Sequence, residues 1–444
     1  MFKLFRCATA MSLIAELVVP AYLAAQDQDR ERDHLTRYQV FNLGTLGGTS
    51  SAGNTINNLS WAMGSANLSG DNSAHATVWI YGLKFDLGTL GGPNSNVIFP
   101  NRNDRGEIVG ISQTKRPDPL GEAWSCSAFF PPPTATSYTC LGFIWKWGAM
   151  SALPTLGGNN GFAAAVNDLG QVVGWAETSL HDPTCVRPQV LQFEAVVWGP
   201  ETGQIQRLPS FDHDPDTAAT AINNKGQVVG ISGTCDVAVG AFSAKHAVLW
   251  ENGRVINLGS LGGEGWNTPV AINNRGDIAG FSDLPGDVSG GVLTPNFHAF
   301  LWTKERGMQD LGTLPGDSIS EATGINDHGQ IVGVSFPSSH AFIWQKGVMV
   351  DLNTLVSSGS GLSLISTGDI NDKGEITGQA CVVSNGICST ETPAFLAIPE
   401  HDRDDRNASP GTRADQAEAP MAIVPENVLR RVQRGWIFSR ANPR

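Results

Sequence analysis

Three aspartates alternate along the segment 211–216 (FDHDPD) of the chain. Alternating carboxylates are typical of the first half of a calcium loop, because Ca²⁺ is bound through oxygen atoms. Such a loop also needs Gly at its sixth position and Glu at its twelfth, and here these positions hold Thr217 and Asn223. We therefore predict no metal or other cofactor, keep calcium as the weaker alternative, and assign the acidic segment to ligand binding. The residues assigned are Asp212, His213 and Asp214.

Aromatic residues are concentrated in the irregular stretch 113–138, and a further one lies at Trp266. Aromatic rings stack on sugar rings and anchor protein partners, because each offers a large apolar face with a polar edge. The alternative is that these rings pack against one another within a cluster of loops. The aromatic candidates for ligand binding are Trp124, Phe129, Phe130 and Trp266.

Catalytic motifs give little support for an enzyme. No nucleophile elbow, P-loop, zinc-protease helix or dinucleotide fingerprint occurs in a supporting context. Paired carboxylates cleave glycosidic bonds, but the spacing of the acids near the irregular stretches singles none of them out. A carbohydrate-active enzyme, hydrolase or lyase, is therefore kept as an alternative. Its candidate carboxylates are Glu122, Glu177, Asp212 and Asp214.

Six cysteines follow the first 25 residues, and an even number in a secreted chain indicates disulfides. Six cysteines allow fifteen pairings. Proximity along the chain and between neighbouring repeats favours one set among these, and zinc is a weaker alternative because no Cys-x-x-Cys occurs. The predicted pairs are Cys126–Cys140, Cys185–Cys235 and Cys381–Cys388.

Composition and charge exclude two classes of protein. Lys and Arg number 29 against 42 Asp and Glu, a net charge of −13 that argues against a nucleic-acid binder. Hydrophobic residues make up 41% of the chain, which is enough for a large core and argues against global disorder. Low charge, abundant Gly and many β-branched residues favour strands and turns.

The two ends of the chain have compositions unlike the middle. Residues 1–25 combine early positive charges with an apolar run and are interpreted as a signal peptide. Residues 26–37 form a polar linker, and residues 401–444 form a polar tail, in which 424–440 is a candidate basic helix. No other stretch is long and apolar enough for a transmembrane span, so we expect none in the mature chain.

A repeat governs everything between these ends. An asparagine near the end of an apolar run recurs at spacings of 45 to 64 residues, and in six of seven copies a glycine follows three residues later, whereas the first copy has Ser60. Each copy reads as four short strands, with tight turns after the first and third. The repeated asparagines are Asn57, Asn103, Asn167, Asn223, Asn273, Asn326 and Asn371.

Histidine and tryptophan recur at fixed places in the third predicted strand. Residues that return in repeat after repeat serve the repeat most economically, so we interpret them as structural: the histidines as hydrogen-bonded and the tryptophans as packed between repeats. The histidines are His75, His246, His298 and His340, and the tryptophans are Trp79, Trp145, Trp198, Trp250, Trp302 and Trp344.

Four antiparallel strands in about 50 residues, repeated seven times, predict an all-β fold: a seven-bladed β-propeller over residues 38–400. The segment 38–43 resembles a fourth strand without its first three, and the last copy stops after a third strand at 393–397. The N-terminal strand should therefore complete the last blade. This closure removes two sheet edges that would otherwise promote aggregation.

These repeats resemble the HAF-repeat family of probable bacterial extracellular proteins. The resemblance rests on the His-Ala-Phe triplets at 298–300 and 340–342, the Leu-Gly-Thr-Leu-Gly-Gly runs at 43–48 and 87–92, and the Ile-Asn-x-x-Gly segments. It covers residues 38–400. It implies secretion and a repeat fold, and it implies no established activity.

The long insertions all fall between the second and third strands of a copy, in copies two to five. In a four-stranded blade these loops share one face with the links between blades, so one face carries the irregular loops on which function concentrates. We predict a monomeric binding module, secreted to the outside of the cell or the periplasm, whose partner is an extracellular protein or a carbohydrate. A structural or adhesion scaffold is the third alternative, beside the enzyme.

Overall fold

The computed structural model describes residues 36–122, 129–130, 138–200, 203–235, 242–286, 288–289, 292–293 and 296–400. In these residues the regular secondary structure consists of 31 β-strands and one short 3-10 helix, η1 (Leu352–Leu355). Seven antiparallel sheets each have four strands along their main path, which confirms the predicted seven-bladed β-propeller. The predicted signal peptide, nearly all of the polar linker and the C-terminal tail lie outside the described residues.

The strands of the first half follow the predicted order of four per blade. The chain begins with β1 (Tyr38–Gly44). Blade 1 contains β2 (Gly47–Ile56), β3 (Trp61–Leu68), β4 (Ala74–Ile80) and β5 (Leu83–Asp86). Blade 2 contains β6 (Gly91–Asn96), β7 (Ile108–Pro117), β8 (Tyr138–Lys146) and β9 (Ala149–Ala152). Blade 3 contains β10 (Gly157–Val166), β11 (Val172–His181), β12 (Leu191–Trp198) and β13 (Ile205–Arg207).

The second half adds one small hairpin and one short accessory strand. Blade 4 contains β14 (Asp216–Ile222), β15 (Val228–Gly233), β16 (His246–Glu251) and β17 (Arg254–Gly259). Blade 5 contains β18 (Thr268–Ile272), β19 (Ile278–Asp283), the hairpin β20 (Val288–Ser289) and β21 (Val292–Leu293), then β22 (Phe297–Thr303) and β23 (Gly307–Asp310). Blade 6 contains β24 (Ile319–Ile325), β25 (Ile331–Phe336), β26 (His340–Gln345) and β27 (Val348–Asp351). Blade 7 contains β28 (Leu362–Ile370), β29 (Ile376–Ser384), its accessory β30 (Ile387–Cys388) and β31 (Ala394–Pro399).

Blade 7 takes its fourth strand from the start of the chain. Strand β1 pairs antiparallel with β31, with Gln39 opposite Ile398 and Asn42 opposite Phe395. The side chain of Tyr38 is 1% exposed and packs into the core between blades 6 and 7. The predicted closure of the ring by the N-terminal strand is therefore confirmed.

The repeated asparagine builds the turn between the first two strands of each blade. In blade 5, Asn273 Oδ1 accepts hydrogen bonds from the backbone N–H groups of Arg275 (3.0 Å) and Asp277 (2.9 Å). Gly276 has a φ of 100°, a conformation that costs a residue with a side chain free energy. The spacing Asn-x-x-Gly thus specifies a tight turn, as predicted.

The same asparagines also join the blades, which the repeat pattern did not reveal. Each Asn Nδ2 donates a hydrogen bond to the backbone oxygen of the equivalent Asn in the next blade, and the seven bonds form a closed ring. The pairs are Asn57–Asn103 (3.0 Å), Asn103–Asn167 (2.8 Å), Asn167–Asn223 (3.1 Å), Asn223–Asn273 (3.0 Å), Asn273–Asn326 (3.1 Å), Asn326–Asn371 (3.0 Å) and Asn371–Asn57 (3.0 Å).

A second closed ring runs beside the first, one residue later in each turn. There the backbone N–H donates to the side-chain Oδ1 of the equivalent residue in the next blade. The members in ring order are Asn58, Asp104, Asp168, Asn224, Asn274, Asp327 and Asp372. Because every blade contributes to both rings, opening one blade interface breaks bonds of both kinds.

The repeated histidines and tryptophans have structural contacts, in agreement with their interpretation. His75, His298 and His340 lie 2.9 to 3.0 Å from an aspartate on the fourth strand of the same blade, Asp86, Asp310 and Asp351 respectively. In blade 4, where the fourth strand has Asn257, His246 instead bonds Asp214 at 2.8 Å. The tryptophans belong to the hydrophobic clusters between blades.

Candidate binding site

Blades 2 to 5 have long connections between their second and third strands, as the repeat pattern predicts. The four connections of blades 2 to 5 span 118–137, 182–190, 234–245 and 284–296, of which 123–128, 131–137, 236–241, 287, 290–291 and 294–295 lie outside the described residues. Blade 6 uses only 337–339, and blade 7 has a further connection, 385–393, that was not predicted to be long. We call the surface formed by these four connections and the links between blades the long-loop face. The opposite surface carries the tight turns.

One disulfide joins two connections of the long-loop face, and a second lies in blade 7. Cys185 and Cys235 join the connections of blades 3 and 4, with their Cα atoms 4.3 Å apart. Cys381 and Cys388 are bonded within blade 7, with a Cα separation of 5.4 Å. Two of the three predicted pairs are therefore confirmed. Cys126, the predicted partner of Cys140, lies outside the described residues.

Three of the aromatic candidates are buried beneath the long-loop face. Phe129, Phe130 and Trp266 are 5%, 4% and 1% exposed, and they belong to one cluster with side chains from blades 2 to 5. Phe129 packs edge-on against Phe162 at a ring-centroid distance of 5.3 Å. These contacts match the alternative interpretation, in which the rings are buried within the loop cluster. A ligand would reach the three rings only if the loops moved. Trp124 lies outside the described residues.

The acidic segment before blade 4 does not converge on one point. Asp212 and His213 are exposed, and both have a positive φ. Asp214 Oδ2 accepts hydrogen bonds from Ser232 Oγ (2.7 Å) and pairs with His246, while Asp216 Oδ1 accepts the backbone N–H of Phe193 (2.8 Å). In the described part of the chain no group of three or more His, Cys, Asp or Glu side chains is placed to hold a metal ion. Calcium binding and ligand contact by this segment stay predictions.

Two of the candidate carboxylates, Glu122 and Glu177, are loop anchors. Both are 1% exposed. Glu122 Oε1 accepts the backbone N–H groups of Val190 (2.9 Å) and Leu191 (2.7 Å), which ties the blade 2 connection to that of blade 3. Glu177 Oε2 accepts the N–H of Asn160 (2.8 Å). Burial, together with the neighbouring Glu122 carboxyl, raises the pKa of Glu177 to about 7.

A second pair of carboxyls lies between blades 3 and 4. Burial, with a hydrogen bond to Asp182, raises the pKa of Asp216 to about 9, so Asp216 keeps its proton at neutral pH. The pKa of Asp182 is lowered despite burial, because it accepts hydrogen bonds from Asp216 and Thr184. Each carboxyl also accepts a backbone N–H group, Asp182 Oδ1 from Thr184 (2.7 Å) and Asp216 Oδ1 from Phe193 (2.8 Å), so both contribute to holding this part of the chain.

These buried acids predict how stability depends on pH. Glu177 takes up a proton in the folded state at a pH where the unfolded chain, with an ordinary Glu pKa of 4.5, has lost it. The free energy of unfolding should therefore fall as the pH rises from about 4.5 to 7, by up to about 3 kcal/mol from this group at about 1.4 kcal/mol per pKa unit. Urea unfolding at pH 5, 6, 7 and 8 measures the slope.

Glu177→Gln should flatten this slope, and Glu305→Gln, at an exposed position of blade 5, should leave it unchanged. Equal slopes for Glu177→Gln and the unchanged protein would show that Glu177 is ionised throughout this range.

The central channel contains a cavity that sequence reasoning missed. A cavity of about 90 Å³ is lined by the innermost strands of several blades, and Glu321 on β24 faces it. Its side chain is 2% exposed, and Oε2 has no hydrogen-bond partner. Burial raises the pKa of Glu321 to about 8. The other lining residues used below are Asn54, Asn96, Thr323, Thr367 and Gln379.

A signal for Glu321 exists in the repeat. It lies five residues before the repeated Asn of blade 6, and the same position in the other blades holds small, apolar or hydroxyl side chains. In blade order these are Ala52, Ile98, Phe162, Ala218, Thr268 and, in blade 7, Ser366. A carboxyl in one copy of an inward-facing position departs from what the fold requires.

Comparisons with known proteins concern the fold alone. The β-propeller domain of the Trilobed protease from Pyrococcus furiosus is 8% identical over 82% of this chain and 94% of that chain, with a TM-score of 0.44. An acylaminoacyl peptidase from Pyrococcus horikoshii is 11% identical over 80% of this chain and 52% of its own, with a TM-score of 0.44. XC5397 from Xanthomonas campestris, a gluconolactonase, is 9% identical over 82% and 91%, with a TM-score of 0.37.

No family model and no curated protein matches the chain. The resemblance to the HAF-repeat family therefore stays a prediction. Among the described residues, none of the helical structure has the length and apolar character required to cross a membrane.

Proposed function

We propose that this protein is a secreted or envelope-associated binding module, and that the long-loop face of the propeller contacts an extracellular protein or carbohydrate. Two disulfides support an oxidising compartment, outside the cell or in the periplasm, because such bonds are rare where thiols are kept reduced.

The observation that carries the proposal is the bracing of the long loops across three blades. Glu122 holds the blade 3 connection from blade 2, and Cys185–Cys235 links that connection to blade 4. The N–H of Cys235 adds a hydrogen bond to Thr184 Oγ1 (3.0 Å). Loops that are already ordered lose less conformational entropy on binding, so bracing of this kind favours a recognition surface.

The enzyme alternative would need two carboxyls that reach a substrate. Glu122 and Glu177 are buried and accept backbone N–H groups, so the geometry favours binding over glycosidic-bond cleavage by this pair. The scaffold alternative predicts that loosening the loops leaves partner affinity unchanged.

A glycan array with the mature protein, with and without calcium, tests the proposal and the calcium alternative together. For any glycan bound, Cys185→Ser with Cys235→Ser should weaken binding about tenfold. Without the disulfide the loops must be ordered on binding, and the lost conformational entropy costs about 1.4 kcal/mol of binding free energy. The matched control is Cys381→Ser with Cys388→Ser in blade 7. Equal affinities of the two folded variants would contradict a role of the braced loops, and a blank array would direct the search to a protein partner.

A further inference from the structure

We propose a second ligand site in the central channel, where Glu321 binds the ammonium group of a small ligand. The site is separate from the long-loop face and does not depend on the function proposed for that surface. It rests on a cavity, a buried carboxyl without a partner, and the hydrogen-bonding capacity of the surrounding side chains.

The cavity is large enough for a ligand. A volume of about 90 Å³ exceeds by several times the 10 to 15 Å³ that one water molecule needs. Its wall is part apolar, with Ile98, Val270 and Val334, and part polar. Small-molecule sites share this composition, in which apolar walls surround a few polar groups that fix orientation.

Burial of the Glu321 carboxyl is unfavourable, and no hydrogen bond to Oε2 from the described residues compensates for it. A buried polar group without a hydrogen bond destabilises the fold, and Oε2 of Glu321 has none. Alanine, threonine and serine occupy the equivalent position in other blades. The carboxyl therefore does not serve the blade, and an unpaired buried acid in a cavity indicates a bound partner.

Most polar side chains that line the cavity donate hydrogen bonds within the protein. Asn54 Nδ2 donates to Val97 O (2.7 Å), and Gln379 Nε2 donates to Ser51 O (3.0 Å).

The remaining lining donors are engaged in the same way. Asn96 Nδ2 donates to Phe129 O (3.4 Å), and the hydroxyl groups of Thr323 and Thr367 donate to backbone oxygens of β25 at 3.2 and 2.9 Å. These five side chains offer mainly oxygen acceptors to a ligand, and the hydroxyl group of Ser366, which also lines the cavity, can accept or donate.

Acceptors around a carboxyl select a ligand rich in donors. An ammonium group has three N–H donors and no acceptor, and its charge makes the bond to a carboxylate about twice as strong as a bond between neutral groups. A neutral polyol would bring its own lone pairs toward the acceptors. A divalent metal ion would keep a net positive charge beside one carboxylate, because no other acidic side chain lines the cavity in the described residues.

Glu321 is the ionisable side chain that lines the cavity in the described residues. Asp369 on β28 pairs with Arg102 at 2.6 Å and also accepts from Thr55 Oγ1 (3.1 Å). Among the described residues lining the cavity there is no Lys, Arg or His. Because burial raises the pKa of Glu321 to about 8, the empty site holds a proton at pH 7. Binding an ammonium ion ionises the carboxyl, and that proton passes to the buffer.

Calorimetric titration of the full protein at pH 7 tests the site. Ethanolamine and glucosamine are the probes, and ethylene glycol and glucose are their neutral counterparts, so that a free amine and an amino sugar are distinguished. At least one amine should bind at least tenfold more tightly than its neutral counterpart. Titration in two buffers of different ionisation enthalpy should show release of close to one proton per bound amine.

Glu321→Gln should abolish both amine binding and proton release, whereas Glu305→Gln should change neither. Proton release by the unchanged protein is an independent readout if Glu321→Gln does not fold. Failure of both amines to bind, equal binding of the neutral counterparts, or binding retained by folded Glu321→Gln would overturn the site. Glycan binding by Glu321→Gln should stay unchanged, which separates a failure here from a failure of the long-loop face.

Discussion

A variant that lacks Tyr38–Gly44 is expected to lose the cooperative unfolding of the ring. The deletion removes the fourth strand of blade 7 and the buried side chains of Tyr38 and Val40, each worth about 1.5 to 3 kcal/mol. It also exposes the edge of β31 to other chains. We expect the free energy of unfolding to fall by at least about 3 kcal/mol and the variant to aggregate, as measured by urea unfolding and light scattering.

A peptide of residues 36–46 should restore the lost stability in trans, because it can pair with the free edge of β31. The same peptide with Tyr38→Asp is the control and should not restore it, since a carboxylate would enter the core. A truncated protein that unfolds at the urea concentration of the full chain would show that the N-terminal strand does not close the ring.

The second large effect is expected at the asparagine ring. Asn273 is 1% exposed, accepts the N–H groups of Arg275 and Asp277, and donates to Asn326 O (3.1 Å). Asn273→Leu keeps the size of the side chain but leaves these groups without partners, at about 1 to 3 kcal/mol each. We expect a loss of about 3 to 5 kcal/mol in urea unfolding, against little change for Gln206→Leu, which is exposed on β13.

Asn273→Asp separates the two roles of this side chain. The carboxylate can still accept the turn N–H groups, but it places an oxygen against Asn326 O where the amide donated a hydrogen bond. Its instability should therefore be large at pH 7 and smaller at pH 4, where a protonated carboxyl can donate. A loss of stability that is equal at both pH values would mean that the bond between blades contributes little.

The fold could be predicted from the sequence because each blade is local. Four strands and their turns lie within about 50 residues, so the repeated spacing of Asn and Gly predicts where the turns lie. Closure could be predicted as well, since the unmatched strands at the two ends, 38–43 and 393–397, are both visible in the chain. The two hydrogen-bonded rings could not be predicted. The bond from Asn57 to Asn103, for example, forms between neighbouring blades, and their relative placement is not visible in the sequence.

The candidate site was less accessible to sequence reasoning. Aromatic residues in a long loop suit either a ligand or a core, and the sequence does not distinguish the two; Phe129 and Phe130 are packed in a cluster with blades 2 to 5. The carboxyls of Glu122 and Glu177 anchor backbone that no repeat pattern describes. Glu321 was missed for a different reason. The repeat was analysed through the residues that its copies share, and Glu321 occurs in one copy.

Cross-linking the two ends of the chain measures ring closure most directly. Gln39 and Ile398 lie directly opposite each other on β1 and β31, so cysteines there should be within disulfide range. After mild oxidation of Gln39→Cys with Ile398→Cys, peptide mapping should find residues 39 and 398 bonded within one chain. Gln39→Cys with Ile256→Cys, in distant blade 4, should stay reduced at both sites. Free thiols at 39 and 398, or a bond between two chains, would contradict a ring that each molecule closes for itself.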